Sequence, residues 1–244
     1  MVADSPLVSI VIPVLHDAAE LERLLGELLR QLPAEITRSG GCEVIVANGD
    51  AEDCAIRPLR ARFEAVRWMV AEPGRARQMN AGARAATGAW LLFLHADSSP
   101  APGWLAEIRR IDPDPLTVGG ALRLTLRSAD WRARIVERGV AWRVRWMGLP
   151  YGDQGIFVRR ALFEQLGGFR PLPLMEDVDL ARRLRRSGRM AYLEVPILTS
   201  ARRWERDGWT RRTVLNLLLL LGYAAGVPTA RLARAYYGPP DGSR

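Results

Sequence analysis

Apolar and polar positions alternate in blocks along the first hundred residues, and the blocks predict strands and helices in turn. Four continuous apolar runs have the pattern of parallel strands buried on both faces, and they cover residues 7–14, 43–47, 66–70 and 90–94. A helical period begins near Ala18, where Asp17 and Glu20 form a capping box, and a second helix is predicted for residues 75–86. The alternation predicts an α/β fold with a mostly parallel, twisted sheet and helices on both faces.

Beyond residue 115 the pattern is less regular. The predicted elements are a strand at 118–126, a helix at 129–147, a loop at 148–155, a short strand at 156–158 and a helix at 176–187. No linker rich in Gly, Ser or Pro divides the chain. We therefore expect one domain over residues 1–209, followed by a C-terminal helical extension over residues 210–244.

The extension contains 18 consecutive uncharged positions, from Thr213 to Ala230, between Arg212 and Arg231. A helix of that length spans about 27 Å, which is short of the ~30 Å hydrocarbon core of a bilayer. Pro228 weakens a spanning helix further. Three interpretations stay open: a helix packed on the domain, a contact in a homodimer, or a helix at a membrane surface flanked by arginines.

The amino-acid composition excludes several kinds of catalytic and metal-binding site. All 35 cationic residues are arginine, which excludes a P-loop lysine, a Schiff-base lysine and a lysine general base. Two histidines and two cysteines exclude a multi-histidine metal site, a zinc cluster and a disulfide framework. The net charge of +8 admits nucleic acid, an anionic membrane surface or a phosphorylated substrate as partner.

Polar residues gather where the predicted parallel strands end, in segments 13–17, 48–53, 74–82 and 95–97. Because ligands bind beyond the carboxyl ends of parallel strands, these segments predict a site at one edge of the sheet. Asp97 directly follows a buried strand, as a ligand of Mg²⁺ or Mn²⁺ does, although capping of the following turn or helix explains it as well.

Two further groups of residues suggest chemistry. Glu176 and Asp177 open a predicted helix after an apolar loop, where a carboxylate serves as a general base or simply as a helix cap. Arg75 and Arg77 lie at another helix start, which favours phosphate oxygens. Arg202 and Arg203 are also suited to a diphosphate.

The order of these motifs resembles that of family-2 glycosyltransferases, which have the GT-A nucleotide-diphospho-sugar transferase fold. The resemblance covers residues 7–204, and six segments carry it: Ser9–Pro13, Asn48-Gly49, Gly74–Gly82, Phe93–Asp97, Gly167–Phe169 and Glu176-Asp177. Small bacterial members with segments like Tyr151–Gly155 and Ser200–Glu205 are the most similar, and some of them are labelled arsenosugar-biosynthesis enzymes.

The resemblance implies a role for each matching residue. Asp97 matches the metal-binding acid and Asp177 the catalytic base, with Glu176 orienting the loop or contacting the acceptor. The residues that match the nucleotide-sugar pocket are Pro13, Val14, His16, Asp17, Asn48, Gly49, Arg77, Asn80, Gly82, His95, Ala96 and Asp97. Those implied near the acceptor or the diphosphate are Asp153, Gln154, Arg203 and Trp204.

Three positions depart from the family pattern. His95 replaces the first acid of the metal motif, which removes a negative charge from the site. Asn48 replaces an aspartate that pairs with the base of the nucleotide, and its oxygen suits the single N–H of uracil better than the two donors of guanine. Arg203-Trp204 lacks the glutamine found in processive members. The departures favour a UDP-sugar donor and argue against a polymer synthase.

The resulting hypothesis is an inverting, metal-dependent sugar transferase that uses Mg²⁺ or Mn²⁺, a nucleotide-diphospho-sugar and an unidentified acceptor. Two alternatives stay open: a sugar nucleotidyltransferase of similar fold, and an arginine-rich nucleic-acid-binding module. The scatter of arginines over the whole chain argues against the latter. The segment before the first predicted strand, residues 1–6, is short and polar, so we expect no secretory signal and a cytoplasmic protein. If the C-terminal extension contacts lipid, we expect the protein at the inner face of the membrane.

Overall fold

The computed structural model describes residues 5–31, 41–52 and 54–238. The strands within these residues are β1 (Val8–Val14), β2 (Cys42–Asn48), β3 (Arg67–Val70), β4 (Trp90–Phe93), β5 (Ser98–Pro100), β6 (Thr117–Arg127), β7 (Phe157–Arg159) and β8 (Arg189–Ser200). The helices are α1 (Ala18–Gln31), α2 (Arg57–Arg62), α3 (Arg75–Ala85), α4 (Trp104–Ile111), α5 (Trp131–Met147), α6 (Arg160–Gln165), α7 (Glu176–Ser187), α8 (Arg202–Asp207), α9 (Trp209–Ala224) and α10 (Thr229–Tyr237). A short 3-10 helix covers Gly152–Gln154.

The described strands form one sheet in the order β3-β2-β1-β4-β7-β6-β8-β5. Strands β1 to β4 are mutually parallel, with Val8 level with both Cys42 and Trp90. Strand β7 runs antiparallel between β4 and β6, and β6 pairs in parallel with β8. The predicted α/β class and the mostly parallel sheet are therefore confirmed.

Apolar residues on alternate positions of the central strands cover both faces of the sheet. Ile10 and Ile12 point into the same cluster as the buried leucines of α1, whereas Val11 lies in a second cluster with Met79 of α3 and Leu180 of α7. Because successive side chains of a strand point to opposite faces, these neighbours lie on opposite faces of the sheet. The central strands are therefore buried on both faces. Helices on both faces are confirmed.

Helix α3 approaches the central strand closely. A Cβ built on Gly82 would lie 2.4 Å from Cγ1 of Val11, well inside van der Waals contact. Gly82 therefore allows the helix to pack directly on β1. This contact holds the first turn of α3 beside the carboxyl end of β1, where the predicted site lies.

Strand β8 is absent from the sequence-based prediction. Pro196 lies within it, and proline normally argues against a strand because it cannot donate to the ladder. The structure accommodates Pro196 at an irregularity, where the register against β6 shifts between Leu122 and Arg123. Strand β8 leads from the outer part of the sheet back to the cleft, where it ends at Ser200.

The C-terminal helices pack on the domain through one face. Leu219 and Leu220 of α9 and Leu232 of α10 are buried in a cluster with Met175 and Val178 of the domain. Leucines on the opposite side of α9 are exposed. None of the helices in the described part of the chain is long and apolar enough to cross a membrane.

Candidate active site

A cleft follows the carboxyl ends of β1 and β4 and continues under the C-terminal helices. It has two adjoining cavities. The first is bounded by the end of β1 and the start of α3. The second is bounded by the start of α7, by the 3-10 helix and by α9 and α10. Four side chains line both cavities: Arg75, His95, Asp97 and Arg203. The cavities therefore meet at a charged boundary. We call them the β1 cavity and the α7 cavity.

A buried glutamine ties together the strands that form the β1 cavity. The Nε2 atom of Gln78 donates to the carbonyl oxygens of Val14 at 2.7 Å and Ala47 at 2.9 Å, at the ends of β1 and β2. The Val14 oxygen also accepts from the backbone N–H of Gly49 at 2.9 Å, so the side-chain amide adds a second donor there and joins the two strand ends. Gln78 comes from α3, so the helix start and both strand ends keep a constant spacing.

Asp97 lies at the boundary of the cavities with its carboxylate partly accessible. Ser98 Oγ donates to its Oδ1 at 3.2 Å, and Arg202 Nη2 lies 3.6 Å from its Oδ2. The same Arg202 atom donates to Asp17 Oδ2 at 2.9 Å. One guanidinium therefore balances two carboxylates at the mouth of the β1 cavity, and both carboxylates retain free lone pairs.

The start of α7 presents a carboxylate to the second cavity. Asp177 Oδ2 accepts from the backbone N–H of Gly152 at 2.6 Å, and its Oδ1 accepts from the N–H of Val178 at 2.7 Å. Gly152 is required here, because a Cβ at that position would lie 2.8 Å from Nε2 of His95. Two backbone donors therefore fix the orientation of the Asp177 carboxylate.

Glu176 is buried beside it and pairs with Arg75, whose Nη1 donates to Oε1 at 3.1 Å. Burial and the neighbouring Asp177 raise the pKa of Glu176, and the guanidinium of Arg75 opposes that rise. The pair joins the first turn of α3 to the first turn of α7 across the boundary between the cavities.

Two more titratable groups face the boundary. Burial, reinforced by Arg75 and Arg203, lowers the pKa of His95 well below its ordinary value, so the imidazole is neutral at pH 7. Burial raises the pKa of Asp153 to about 6, with Asp177 and Asp97 adding to the rise and Arg143 opposing it. The cleft thus combines a neutral histidine with closely spaced carboxylates.

Within the described residues, no group of three His, Cys, Asp or Glu side chains forms a metal site. Mg²⁺ and Mn²⁺ bound with a diphosphate need only one or two protein carboxylates, because phosphate oxygens and water complete the shell. Asp97 meets that need. Asp153 offers a buried Oδ1 that has no hydrogen-bond partner among the described residues. The residues present therefore fit such an ion.

The structure brings most of the predicted site residues into the cleft. Those lining the β1 cavity are Pro13, Val14, Asp17, His95, Ala96, Asp97 and Arg203. Those lining the α7 cavity are His95, Asp97, Asp153, Glu176, Asp177, Arg203 and Trp204.

Four residues predicted to bind the nucleotide lie outside both cavities and belong to the loops after β1 and β2 or to the α3 start. The His16 ring is mostly exposed, with Nδ1 3.6 Å from Oδ2 of Asp50. The amide of Asn48 folds back onto Asp50, accepting from its N–H at 3.1 Å and donating to its carbonyl. Gly49 packs against the Gln78 amide. Arg77 is exposed and pairs with Glu72.

Three other predicted residues serve the packing around the site. Asn80 clasps the backbone of Phe169, donating to its oxygen at 2.8 Å and accepting from its nitrogen at 2.9 Å. Gly82 permits the close contact of α3 with β1. Gln154 is buried and accepts from Arg143 and from the backbone N–H of Tyr151. These motif residues hold backbone segments and α3 in place, and the side chains of Asn80 and Gln154 do not line either cavity.

Sequence reasoning ranked one cleft residue too low and missed others. Arg75, which the sequence suggested for phosphate oxygens together with Arg77, lines both cavities, whereas the motif favoured Arg77, two positions and about 200° further around the helix. Arg212 and Tyr236 come from the C-terminal helices, where no motif marked them. Arg212 is buried, stacks 4.2 Å from the ring centroid of Tyr236 and pairs with Asp207. The signal available in the sequence was the position of Arg212, directly before the long uncharged segment.

The substitution Asp153→Asn tests the unusual carboxyl group. Above pH 6 the carboxyl group of Asp153 is ionised in the folded state, although its surroundings favour the protonated form. The rise of its pKa from 3.8 to about 6 corresponds to a loss of roughly 3 kcal/mol from the free energy of unfolding. The loss is absent well below pH 4, grows as the pH rises from 4 to 6, and is complete above pH 6. We expect the substitution to increase the free energy of unfolding by about 1–3 kcal/mol at pH 7.5, and by about half as much at pH 5. Denaturant unfolding at both pH values measures this.

The matched control is Asp130→Asn, a substitution at a partly exposed position outside the cleft where the neighbouring cation is an arginine. It should change the stability equally at both pH values. A gain for Asp153→Asn that is the same at pH 5 and pH 7.5 would contradict the raised pKa.

Comparison with known proteins agrees with this geometry. The glycosyl transferase family 2 profile matches residues 9–136, and the chain belongs to that family. It is a glycosyltransferase with the GT-A fold, as the sequence resemblance implied. The link to arsenosugar enzymes stays a prediction.

Solved structures of low identity share the fold. The mannosyltransferase PcManGT from Pyrobaculum calidifontis, solved with GDP-mannose and Mn²⁺, is 21% identical, with a TM-score of 0.67 over 96% of this chain and 71% of that one. TarS of Staphylococcus aureus, solved with UDP, is 14% identical, with a TM-score of 0.61 over 80% of this chain and 60% of that one. An uncharacterised Mycobacterium tuberculosis protein is 28% identical over 86% of this chain and 73% of its own length.

Proposed function

We propose that the protein transfers a sugar from a nucleotide-diphospho-sugar to an acceptor hydroxyl with inversion at the anomeric carbon. The observation that carries this proposal is the division of the cleft. Asp97 lies at the boundary, the β1 cavity follows the strand ends on one side, and the fixed carboxylate of Asp177 faces the α7 cavity on the other. Donor and acceptor would occupy the two cavities, with the reacting carbon between them.

The side chains at the boundary suit a diphosphate. Arg75 and Arg203 line both cavities, and a guanidinium binds phosphate oxygens through paired N–H donors. Asp97, with Asp153 behind it, would hold a Mg²⁺ or Mn²⁺ ion. When bound, such an ion offsets the charge that develops on the departing diphosphate. The neutral His95 would donate or accept one hydrogen bond without adding charge.

Asp177 acts as the base in this proposal. The acceptor hydroxyl loses its proton to the Asp177 carboxylate as its oxygen bonds to the anomeric carbon. The bond from that carbon to the diphosphate oxygen breaks, and the electron pair leaves with the nucleoside diphosphate. Inversion requires the base and the leaving group to lie on opposite faces of the sugar, which an acceptor in the α7 cavity and a donor in the β1 cavity would provide.

The donor nucleotide follows less directly from the residues. The UDP preference rested on Asn48, whose amide is engaged by the Asp50 loop. Proteins of the same fold hold GDP-mannose in one case and UDP or UDP-GlcNAc in another. We therefore propose a nucleotide-diphospho-sugar, with UDP-sugars as the first candidates and GDP-sugars as the second.

A thermal-shift panel tests this proposal. UDP-, GDP- and dTDP-sugars are added with and without Mn²⁺, and the corresponding nucleoside monophosphates serve as controls. A donor at 100 times its Kd stabilises the folded state by about 2.7 kcal/mol. We expect one nucleotide series to raise the Tm by several degrees, and only when Mn²⁺ is present. If no diphosphate sugar shifts the Tm with the metal present, the proposed donor is wrong.

A further inference from the structure

Helix α5 projects a stripe of large apolar side chains into solvent. Trp131, Ile135, Trp142 and Trp146 are all more than half exposed, and they recur at spacings of four, seven and four residues on one side of the helix. Only Ala133 and Val144 of this helix are buried. Monomeric proteins rarely expose so many large apolar side chains together, and such a patch usually marks a binding surface.

Helix α9, which contacts α5, carries a second exposed stripe. Val214, Leu217, Leu218 and Leu221 are each about half exposed or more. Their spacing places them on the side of α9 opposite Leu219, which is buried against the domain. We call the exposed stripes of α5 and α9 together the Trp/Leu face.

The excess positive charge of the chain falls in the segments that carry this face. Residues 131–147 and 209–237 contain nine of the 35 arginines and one of the 27 acidic residues, a formal charge of +8. The remaining 26 arginines are balanced by 26 acidic residues. Arg212 and Arg143 turn inward, to the α7 cavity and to Gln154, whereas Arg138 and Arg145 lie on the exposed side of α5 and flank the tryptophans directly.

We propose that the Trp/Leu face binds the surface of an anionic phospholipid bilayer. Tryptophan prefers the boundary between headgroups and acyl chains, leucine the acyl side, and arginine the phosphates. A second copy of the chain fits the face less well, because a two-fold contact would set Arg138 and Arg145 of one protomer close to the same arginines of the other. A nucleic acid would use the arginines and tryptophans but leave the leucines of α9 in water.

The position of the face relative to the cleft adds to the argument. The inward side of α9 contributes Arg212, Asn216 and Leu219 to the α7 cavity, while its outward side forms part of the face. Membrane binding would therefore place the α7 cavity about 10 Å, one helix diameter, from the bilayer surface. Here the inference rests on the proposed function: the acceptor for that cavity would be presented at the membrane.

Vesicle co-sedimentation tests the proposal without using transferase activity. The purified chain is mixed with phosphatidylcholine vesicles, with and without 30% phosphatidylglycerol, at about 0.1 M salt. We expect it to pellet with the anionic vesicles and to remain in solution with the neutral ones. No substrate is present in this assay, so the two experiments are independent. A protein that does not bind vesicles would not contradict the proposed donor, and a donor panel without a shift would not contradict membrane binding.

Paired variants separate the apolar from the charged contribution. We expect Trp142→Ala with Trp146→Ala, and separately Arg138→Gln with Arg145→Gln, each to weaken anionic vesicle binding at least about tenfold. The matched controls are Val70→Ala with Leu116→Ala, exposed apolar residues elsewhere, and Arg60→Gln with Arg84→Gln on α2 and α3. The controls should bind vesicles like the parent.

Two results would overturn the proposal. One is equal binding of the parent and both face variants to anionic vesicles. The other is a dimer in light scattering that the Trp142→Ala, Trp146→Ala variant dissociates, because the face would then be an interface between copies. Retention of a monomeric parent by the anionic vesicles, lost in both face variants, would establish the membrane surface.

Discussion

Replacing Asp177 by Asn is expected to lower turnover by at least ~10², and up to ~10⁴, while donor affinity stays nearly unchanged. Asparagine keeps the size of the side chain but cannot take up the acceptor proton. The Oδ1 atom of the asparagine still accepts from one of the two backbone N–H groups, so the start of α7 should stay close to its present position. In the proposed function, donor binding depends on the β1 cavity and on Asp97, which the substitution leaves intact.

Steady-state kinetics, donor titration and thermal unfolding of the same preparation measure this. Asp130→Asn is the matched control, because asparagine caps α5 as well as aspartate does and the position lies outside the cleft. Near-parental turnover in Asp177→Asn would show that another group is the base. Asp153 would then be the next candidate, since it lines the same cavity and its pKa is raised to about 6.

The second large effect is expected at Asp97. The substitution Asp97→Ala should remove the part of nucleotide affinity that depends on Mn²⁺, a loss of at least about tenfold, because the ion then keeps only water and phosphate as ligands near the boundary. Titration calorimetry with the nucleoside diphosphate selected by the donor panel, with and without Mn²⁺, measures the enhancement directly.

Asp17→Ala is a close control for this experiment. Asp17 and Asp97 face the same Arg202 guanidinium at 2.9 and 3.6 Å, so both substitutions unbalance that arginine. Only the loss of Asp97 should abolish the metal enhancement. Equal enhancement of binding by Mn²⁺ in Asp97→Ala and in the parent would rule out Asp97 as the metal ligand.

The parallel half of the sheet follows from the sequence because its strands are continuous apolar runs. The positions of Asp97 and of the Glu176-Asp177 pair can also be predicted from the sequence. Asp97 follows the end of a strand and the pair begins a helix, and such positions come together at the carboxyl edge of the sheet. Strand β8 does not follow, because Pro196 conceals it and only the irregular register of β6 tolerates the ring. Long-range pairing of this kind leaves no local pattern.

The motif residues show a different limit. Asn80 and Gly82 lie in a segment that resembles a binding loop, yet one clasps Phe169 and the other packs on Val11. Spacing alone cannot distinguish a residue that touches a ligand from one that holds the loop that does. The contribution of Arg212 and Tyr236 depends on how the C-terminal helices fold back over the cleft, which is decided by packing against Leu174 and Met175.

The ion pair between Arg75 and Glu176 has a thermodynamic consequence. Arg75 faces the β1 cavity as well as the α7 cavity, and the carboxylate it balances is almost inaccessible to water. An anion that draws the guanidinium towards the β1 cavity leaves Glu176 less well compensated, and the start of α7 must respond by proton uptake or by a new partner. Occupancy of one cavity is thereby coupled to affinity in the other, and by reciprocity each ligand changes the affinity of the other by the same factor.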